Sequence, residues 1–248
     1  MPFELLDPRI GKVLKDKNIN EPTGAQREAI PRILEGRNVL VVAHTGIGKT
    51  EAAMLPIFDR LLKEKGKGIK CLYITPLRAL NRDMLKRLTE FGEALELDVA
   101  VRHGDTSQSE RQAQSKNPPH VLITTPETLQ VLFTGKRLRE HISRVKWVVI
   151  DEIHELASNE RGAQLSVALE RLSELAGEFQ RIGLSATVGS IDEVANYLAG
   201  AGREGDVVRT QVSKELDLRV EAPQVTDVDR DLAGRLASDP QLIAGMRR

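Results

Sequence analysis

The sequence predicts an α/β fold in which a mostly parallel sheet carries helices on both faces. Six short apolar runs have the length and composition of buried strands, at residues 39–43, 71–75, 99–101, 121–125, 145–150 and 182–185. The segments between them place apolar residues at helical spacing, as at Leu165, Leu169 and Leu172. Continuous apolar strands that alternate with amphipathic helices are typical of parallel sheets covered on both sides.

The two ends of the chain differ from this central region. Residues 1–35 are expected to form a helical segment with turns at Pro8, Gly11, Pro22 and Pro31. Residues 36–200 contain all six strand candidates and are expected to form the sheet-containing domain. After residue 200 the pattern weakens, so we expect a linker over residues 201–248, with one extended segment at 216–220.

The composition bounds the compartment and the class of partner. The 248 residues, of which 40% are hydrophobic, suffice for one large domain or two small ones. No apolar run is long enough for a membrane span, and the N-terminus lacks the pattern of a secretory signal. The single cysteine, Cys71, excludes a disulfide within the chain and favours a cytoplasmic location. A net charge of zero argues against nucleic-acid binding by overall charge alone.

A glycine-rich loop follows the first strand candidate and leads into a helix. It consists of Ala43, His44, Thr45, Gly46, Ile47, Gly48, Lys49 and Thr50. Gly46 and Gly48 permit conformations that turn successive N–H groups around an anion, and the helix N-terminus adds unpaired donors. In this pattern Lys49 reaches the β- and γ-phosphates and Thr50 coordinates Mg²⁺. Ala43 replaces the glycine that opens the strict pattern, and it is small enough to fit. The loop predicts binding of a nucleoside triphosphate.

Two adjacent carboxylates, Asp151 and Glu152, follow the fifth strand candidate. Alone, such a pair caps a helix or faces solvent about as often as it serves catalysis. Because ligands of doubly wound sheets bind outside the carboxyl ends of the strands, we expect both carboxylates to lie beside the phosphate loop. Asp151 is then the magnesium ligand, and Glu152 orients or deprotonates the attacking water.

Further short blocks occur at residues 22–26, 75–80, 103–106, 124–127, 151–154 and 185–187. Together with the phosphate loop, their order and spacing resemble superfamily 2 helicases of the DExH type, over residues 1 to about 225. In that family the blocks are the adenine-recognition segment, motif Ia, a conserved turn, motif Ib, motif II and motif III. Residues 118–127 and 151–156, with Arg161-Gly162, are most similar to the large helicase-related (Lhr) proteins. Ski-type DExH helicases share much of this pattern.

The resemblance implies the first RecA-like domain of such a helicase, a P-loop NTPase that uses ATP and Mg²⁺ to drive strand separation. It implies that Gln26 contacts adenine, and that His154, Ser185 and Thr187 couple the nucleotide to strand grip, with the two hydroxyls near His154. Nucleic-acid contacts are implied at Pro76, Arg78, Gly104, Thr106, Thr125 and Pro126. Such strand-end contacts position a backbone without reading its sequence. The partners would be a single strand, or a duplex with a single-stranded tail, and a second RecA-like domain of the same longer protein.

A different class of protein remains open at this point, namely a nucleotide-dependent switch or binding module that separates no strands. Motif Ia and the block at residues 124–127 favour the helicase, because a nucleotide switch has no use for them. Stimulation of ATP hydrolysis by a single-stranded oligonucleotide would discriminate between the two classes.

Overall fold

The computed structural model describes residues 1–44, 46–66, 68–76, 82–186 and 189–210, together with Gly234. The chain divides into two compact units, Met1–Val212 and Ser213–Arg248, and of the second unit only Gly234 is described. Within the described residues, no helix combines the length and the apolar character needed to cross a membrane.

Parallel strands form the centre of the first unit. They are β1 (Val39–Val42), β2 (Cys71–Ile74), β3 (Val99–Arg102), β4 (Val121–Thr124), β5 (Trp147–Ile150), β6 (Gln180–Ser185) and β7 (Asp206–Arg209). They build one seven-stranded sheet in the order β3-β4-β2-β5-β6-β1-β7, and every neighbouring pair is parallel. The predicted α/β class and parallel sheet are therefore confirmed.

Helices cover both faces of this sheet. They are α1 (Pro8–Asp16), α2 (Gly24–Leu34), α3 (Lys49–Leu61), α4 (Arg82–Ala94), α5 (Gln108–Lys116), α6 (Pro126–Leu132), α7 (Lys136–Ile142), α8 (Ile153–Ala157), α9 (Glu160–Ala176) and α10 (Ile191–Ala199). Helices α1–α4 pack on one face with the odd-numbered residues of β1, Val39 and Val41, whereas α6–α10 pack on the other with Leu40 and Val42. Each such fully buried side chain contributes about 1.5–3 kcal/mol, so a short strand without polar residues is strongly held.

The N-terminal segment differs from the prediction at two of its four expected turns. Pro8 and Pro22 do precede or begin helices, with Asp7 capping α1 and Thr23 capping α2. Gly11 and Pro31, however, lie inside α1 and α2. The predicted turns there are wrong, because packing of the helices on the sheet outweighs the local preferences of single residues.

The C-terminal limit of the sheet also differs from the prediction. Strand β7 pairs with β1, so the sheet continues past residue 200 into the segment that was expected to be a linker. The sequence pattern is weak because β7 lies at the sheet edge and of its residues only Val208 is buried. The extended segment expected at 216–220 lies outside the described residues.

The junction between α8 and α9 is unusually close. A Cβ atom on Gly162 would lie 1.9 Å from the Leu156 carbonyl oxygen, which is backbone and cannot rotate away. The Gly162 N–H donates to Asn159 Oδ1 at 3.1 Å, and the Gly162 carbonyl accepts from the Tyr197 hydroxyl of α10 at 2.8 Å. Only glycine fits here, so α8, α9 and α10 are held in one arrangement.

We expect Gly162→Ala to destabilise the chain by at least about 1–3 kcal/mol, the usual cost of forcing extra volume into a packed site. Thermal unfolding followed by circular dichroism measures this. Gly11→Ala is the matched control, since Gly11 also lies in a helix but has no neighbour within 4 Å of an added Cβ. That control should be neutral or stabilising by about 0.5–1 kcal/mol. Equal melting temperatures for both variants would contradict the packing argument.

Candidate active site

The predicted catalytic blocks meet at the carboxyl edge of four adjacent strands, in the order β2-β5-β6-β1. Three of these strands lead directly into a block: β1 into the phosphate loop, β5 into Asp151 and Glu152, and β6 into Ala186. The register holds them level, since Val42 pairs with Ser185 and Ile74 with Ile150. The fold thus brings together segments that are far apart in the sequence.

The described part of the phosphate loop has the predicted backbone geometry. Gly46 and Gly48 adopt φ values of 83° and 76°, in the left-handed region that favours glycine. Helix α3 begins at Lys49 with Gly48 as its N-cap, and no side chain caps it. Its first N–H groups are therefore not taken by a capping side chain, as an anion site requires. His44 is exposed, and Thr45 lies outside the described residues.

Lys49, the first residue of α3, is buried. Only 8% of its surface is accessible, and its Nζ donates to the Ala43 carbonyl at 2.7 Å. Burial lowers the pKa of Lys49, while the charges of Glu152 and Asp151 act in the opposite direction. An ammonium has three donors, so this contact orients Lys49 within the loop and leaves donors for a ligand.

Tyr73 holds Asp151, the carboxylate that the sequence predicts as the magnesium ligand. Its hydroxyl donates to Asp151 Oδ2 at 2.7 Å, while Asp151 Oδ1 accepts from the Glu152 N–H at 3.0 Å. Burial raises the pKa of Asp151, and the bond from Tyr73 partly offsets this. Sequence analysis missed Tyr73 because it reads as one more apolar residue of β2. The available signal was its hydroxyl, which needs a partner when buried.

Glu152 combines backbone strain with an unfavourable electrostatic position. Its φ and ψ are 46° and 42°, in the left-handed region, where a residue with a side chain is strained. Burial and the neighbouring charge of Asp151 raise the pKa of Glu152. His154 Nδ1 lies 3.5 Å from Glu152 Oε2 and is buried without a hydrogen-bond partner. Such strain and unmet polar groups occur at functional sites, where a ligand completes them.

The predicted coupling contact between motif III and His154 does not form at Ser185. Ser185 is fully buried, and its hydroxyl donates to the Ala186 carbonyl at 2.8 Å rather than to His154. Thr187 lies outside the described residues. The coupling role of these residues stays a prediction.

Gln26 lies against the phosphate loop. It is 3% exposed, its Nε2 donates to the Gly48 carbonyl at 3.2 Å, and its Oε1 accepts from the Thr23 N–H at 3.0 Å. Gln26 therefore joins the cap of α2 to the loop. Its predicted contact with adenine stays a prediction.

A second link to the phosphate-loop helix was also missed. Glu51, directly after Thr50, accepts a hydrogen bond from Arg87 of α4 at 2.8 Å. The other carboxylate oxygen of Glu51, Oε2, is buried without a partner. The pair joins α3, the helix that follows the phosphate loop, to α4, the helix that follows the block at residues 75–80. Sequence spacing alone could not reveal a contact between two separate helices.

The predicted nucleic-acid residues follow the other half of the same edge, where β3, β4 and β2 are neighbours. Pro76, Thr125 and Pro126 are buried, whereas Gly104 is exposed and has no neighbour within 4 Å of an added Cβ. The Thr125 hydroxyl caps α6 by accepting from the Thr128 N–H at 3.4 Å. The Thr106 hydroxyl accepts from the His103 N–H at 2.9 Å. Arg78 lies outside the described residues.

The opposite, amino edge of the sheet contains a cavity of about 790 Å³, lined by Gly36, Lys146 and Gln180 among others. None of the predicted site residues lines it. The chemistry-bearing residues therefore lie at the carboxyl edge, although this cavity is large.

Comparison with known proteins identifies the relatives of this chain. The sequence model of the DEAD/DEAH box helicases matches residues 23–194. The ATP-dependent helicase Lhr-Core of Methanothermobacter thermautotrophicus is 43% identical over 247 residues, which are 92% of this chain and 28% of that protein. The Lhr helicase/probable uracil glycosylase of Mycolicibacterium smegmatis is 43% identical over 218 residues, 82% of this chain and 14% of that protein. The chain thus spans less than a third of the length of either relative.

Solved structures agree with this relationship. The structure of Mycobacterium smegmatis helicase Lhr bound to ssDNA and AMP-PNP matches with a TM-score of 0.78 and 36% identity, over 96% of this chain and 33% of that one. The DEAD-box helicase Mss116 bound to ssRNA and UDP-BeF matches with a TM-score of 0.75 over 84% of this chain and 44% of that one. At 23% identity, that second match shows the fold alone. The predicted RecA-like domain is confirmed.

We expect Glu152→Gln to raise the melting temperature of the ligand-free chain at neutral pH. A carboxyl with a raised pKa stabilises the fold below its unfolded pKa and loses that contribution as pH rises through the folded pKa. The variant should therefore match the parent in acid and exceed it near pH 7, by about 2–4 °C for each kcal/mol. Glu155→Gln, which changes an exposed carboxylate in the first turn of α8, is the control. A lower melting temperature for Glu152→Gln at neutral pH would contradict the assigned burial and repulsion.

Proposed function

Because the chain belongs to the DEAD/DEAH box helicase family, we propose that it is the ATP-binding motor domain of an ATP-dependent nucleic-acid helicase or translocase. It would hydrolyse ATP to ADP and phosphate and, with a second RecA-like domain, use that cycle to separate strands. One observation carries the proposal. The glycine-rich loop and two carboxylates share the carboxyl edge of one parallel sheet with the segments proposed to grip a strand.

The triphosphate would bind along the loop that ends in α3. Gly46 and Gly48 supply the backbone conformations, the uncapped start of α3 supplies N–H donors, and Lys49 supplies the charge. The ammonium already lies inside the loop, so little of its freedom is lost on binding. Gln26, held against Gly48, is placed beside the loop in the position proposed to recognise adenine.

Mg²⁺ would be held by Thr50 and Asp151. The Tyr73 hydroxyl donates to Asp151 Oδ2, so this carboxylate is kept in one place before any ion arrives. In the described residues, no group of three or more His, Cys, Asp or Glu side chains is placed to hold a metal ion. This suits Mg²⁺, which typically takes one or two protein ligands and completes its shell with phosphate and water. When bound, the ion neutralises charge on the phosphates.

Glu152 would orient the attacking water and accept its proton. Its raised pKa makes it a stronger base than an ordinary glutamate, and the nearby charge of Lys49 favours the carboxylate form. His154 Nδ1 lies 3.5 Å from Glu152 Oε2 and has no hydrogen-bond partner, so the two side chains can change their contact when the site fills.

A nucleic-acid strand would lie across the ends of β3, β4 and β2. The described candidates there offer backbone groups more than free side chains, because Pro76, Thr125 and Pro126 are buried. Contacts of that kind grip the phosphodiester chain without reading its sequence. With zero net charge and few aromatic residues, the domain should bind strands weakly and chiefly at low salt.

The domain division follows the same reasoning. We propose that residues 1–35 carry the adenine segment, that the motor domain runs from residue 36 through β7, and that the chain beyond β7 leads toward the second RecA-like domain. The single cysteine, Cys71, is buried in β2 and suits a reducing compartment such as the cytoplasm.

The proposal is tested by separating nucleotide binding from hydrolysis in the full-length natural protein. Lys49→Ala should abolish productive ATP binding, because it removes the only cation described within the loop. Glu152→Gln should keep ATP affinity and lower turnover by at least about a hundredfold, the scale of a lost general base. Titration with a fluorescent ATP analogue and steady-state phosphate release measure the two effects.

Lys146→Ala, at the opposite edge of the sheet, is the matched lysine control and should change neither quantity. Parent-like turnover in Glu152→Gln would remove that residue from the chemistry. Parent-like ATP binding in Lys49→Ala would show that the glycine-rich loop is not the ATP-binding site.

We further expect the 248-residue chain to hydrolyse ATP far more slowly than the full-length protein and to displace no strand. The arginine that stabilises the transferring phosphoryl group is proposed to come from the second domain, and such a residue is worth about 10³–10⁵ in rate. Phosphate release and displacement of a labelled strand, with matched concentrations of the two proteins, measure this. Equal strand displacement by the short chain would show that it is a complete motor.

A further inference from the structure

Arg161, the second residue of α9, joins both strand-gripping loops. Its Nε donates to Glu127 Oε1 at 2.6 Å, and its Nη2 donates to the Pro76 carbonyl at 2.7 Å. Pro76 lies two residues after β2, in motif Ia, and Glu127 lies in α6 directly after Thr125 and Pro126 of motif Ib. A guanidinium suits this task because its donors are fixed in one plane, so two acceptors can be held at a set angle.

The backbone of Arg161 is held by its packing against α8, the helix that follows Glu152, rather than by the two loops that its side chain contacts. The neighbouring Gly162 packs on the Leu156 carbonyl at the end of α8, with no room for a side chain. Helix α8 begins one residue after Glu152 and contains His154. Tyr197 of α10, the helix after motif III, donates to the Gly162 carbonyl. A displacement of motif II or motif III therefore reaches Arg161 through rigid contacts.

The Glu127 end of this link is charged. Burial tends to raise the pKa of Glu127, but hydrogen bonds from Arg161 and Thr125 outweigh it and hold that pKa below its usual range. The pair nevertheless remains accessible, with 41% of the Arg161 side chain and 49% of the Glu127 side chain exposed. Ion pairs so exposed contribute little to folding stability, so a role in holding the fold together does not explain this arrangement.

We propose that Arg161 is a positioning residue that keeps the motif Ia and motif Ib loops in register with motif II, so that the state of the nucleotide site sets the grip on the strand. The inference rests on the proposed function and adds a residue through which ATP binding affects strand binding. Arg161 itself need not touch ATP or nucleic acid. The physical claim is that one fork couples three segments, which are distant in sequence, at one edge of the sheet.

The test measures linkage in the full-length natural protein. Affinity for a fluorescent single-stranded oligonucleotide is titrated with and without a non-hydrolysable ATP analogue and Mg²⁺. In Arg161→Ala, strand affinity with the analogue present should fall about tenfold, as expected for the loss of charge-assisted hydrogen bonds. The ratio of strand affinities with and without the analogue should approach one in this variant, because binding at the nucleotide site no longer affects the strand site. Affinity for the analogue alone should stay within about twofold of the parent value. The hydrogen bonds described for Arg161 go to Glu127 and Pro76, which are not among the residues proposed to bind ATP.

Four further variants separate positioning from charge and from packing. Arg161→Lys keeps the charge but cannot serve both acceptors, so it should resemble Arg161→Ala. Glu127→Gln keeps an acceptor oxygen and should lose less than Glu127→Ala. Arg171→Ala is the matched control, since Arg171 lies on the same helix and donates to Gln130 of the same helix α6 at 2.9 Å, but makes no hydrogen bond to the described residues of motif Ia, Thr75 and Pro76.

The outcomes are distinct. Parent-like strand affinity and linkage in Arg161→Ala would overturn the inference, as would an equal defect in Arg171→Ala. A lowered melting temperature with parallel loss of analogue and strand binding would also overturn it, by showing a structural role. Absence of strand binding by the parent protein itself would instead defeat the proposed function, and the inference with it. Lost linkage with retained analogue affinity and retained melting temperature supports it.

Discussion

Parallel pairing of β2, β5, β6 and β1 is the constraint on which the rest of the molecule depends. Because these strands run in one direction, each of their carboxyl ends delivers its following segment to the same edge. The register then sets the details, since Ile74 pairs with Ile150 and Tyr73 can meet Asp151. A slip of one residue would turn the Tyr73 side chain to the other face of the sheet and leave Asp151 without its partner.

The edge that this pairing creates is unfavourable for the ligand-free chain. Lys49 is buried against a carbonyl, burial raises the pKa of Asp151 and Glu152, and Glu152 occupies a left-handed conformation. His154 Nδ1 and Glu51 Oε2 are buried without hydrogen-bond partners. Burial of charge, backbone strain and unpaired buried polar atoms each oppose folding. The remaining stability comes from the apolar side chains that the strands bury on both faces.

The features that sequence could predict are local ones. The strand pattern, the phosphate loop and the Asp151-Glu152 pair each lie within about ten residues, so periodicity and motif spacing reveal them. The features that it missed join distant segments. Tyr73 and Asp151 are 78 positions apart, and Pro76 and Arg161 are 85 apart. The burial of Lys49 and the pairing of β7 with β1 likewise depend on packing partners that no local pattern names. Local preference likewise predicts turns at Gly11 and Pro31, whereas packing keeps both residues inside helices.

The central claim is that a triphosphate binds at one half of the carboxyl edge and a strand at the other half. Backbone amide chemical shifts of the ¹⁵N-labelled chain, recorded while MgATP and then a single-stranded oligonucleotide are added at low salt, test it most directly. The account predicts that MgATP shifts the amides of Gly46, Gly48 and Glu152, and that the oligonucleotide shifts those of Gly104 and Thr106. Shifts confined to the amino edge, around the cavity lined by Gly36, Lys146 and Gln180, would contradict it.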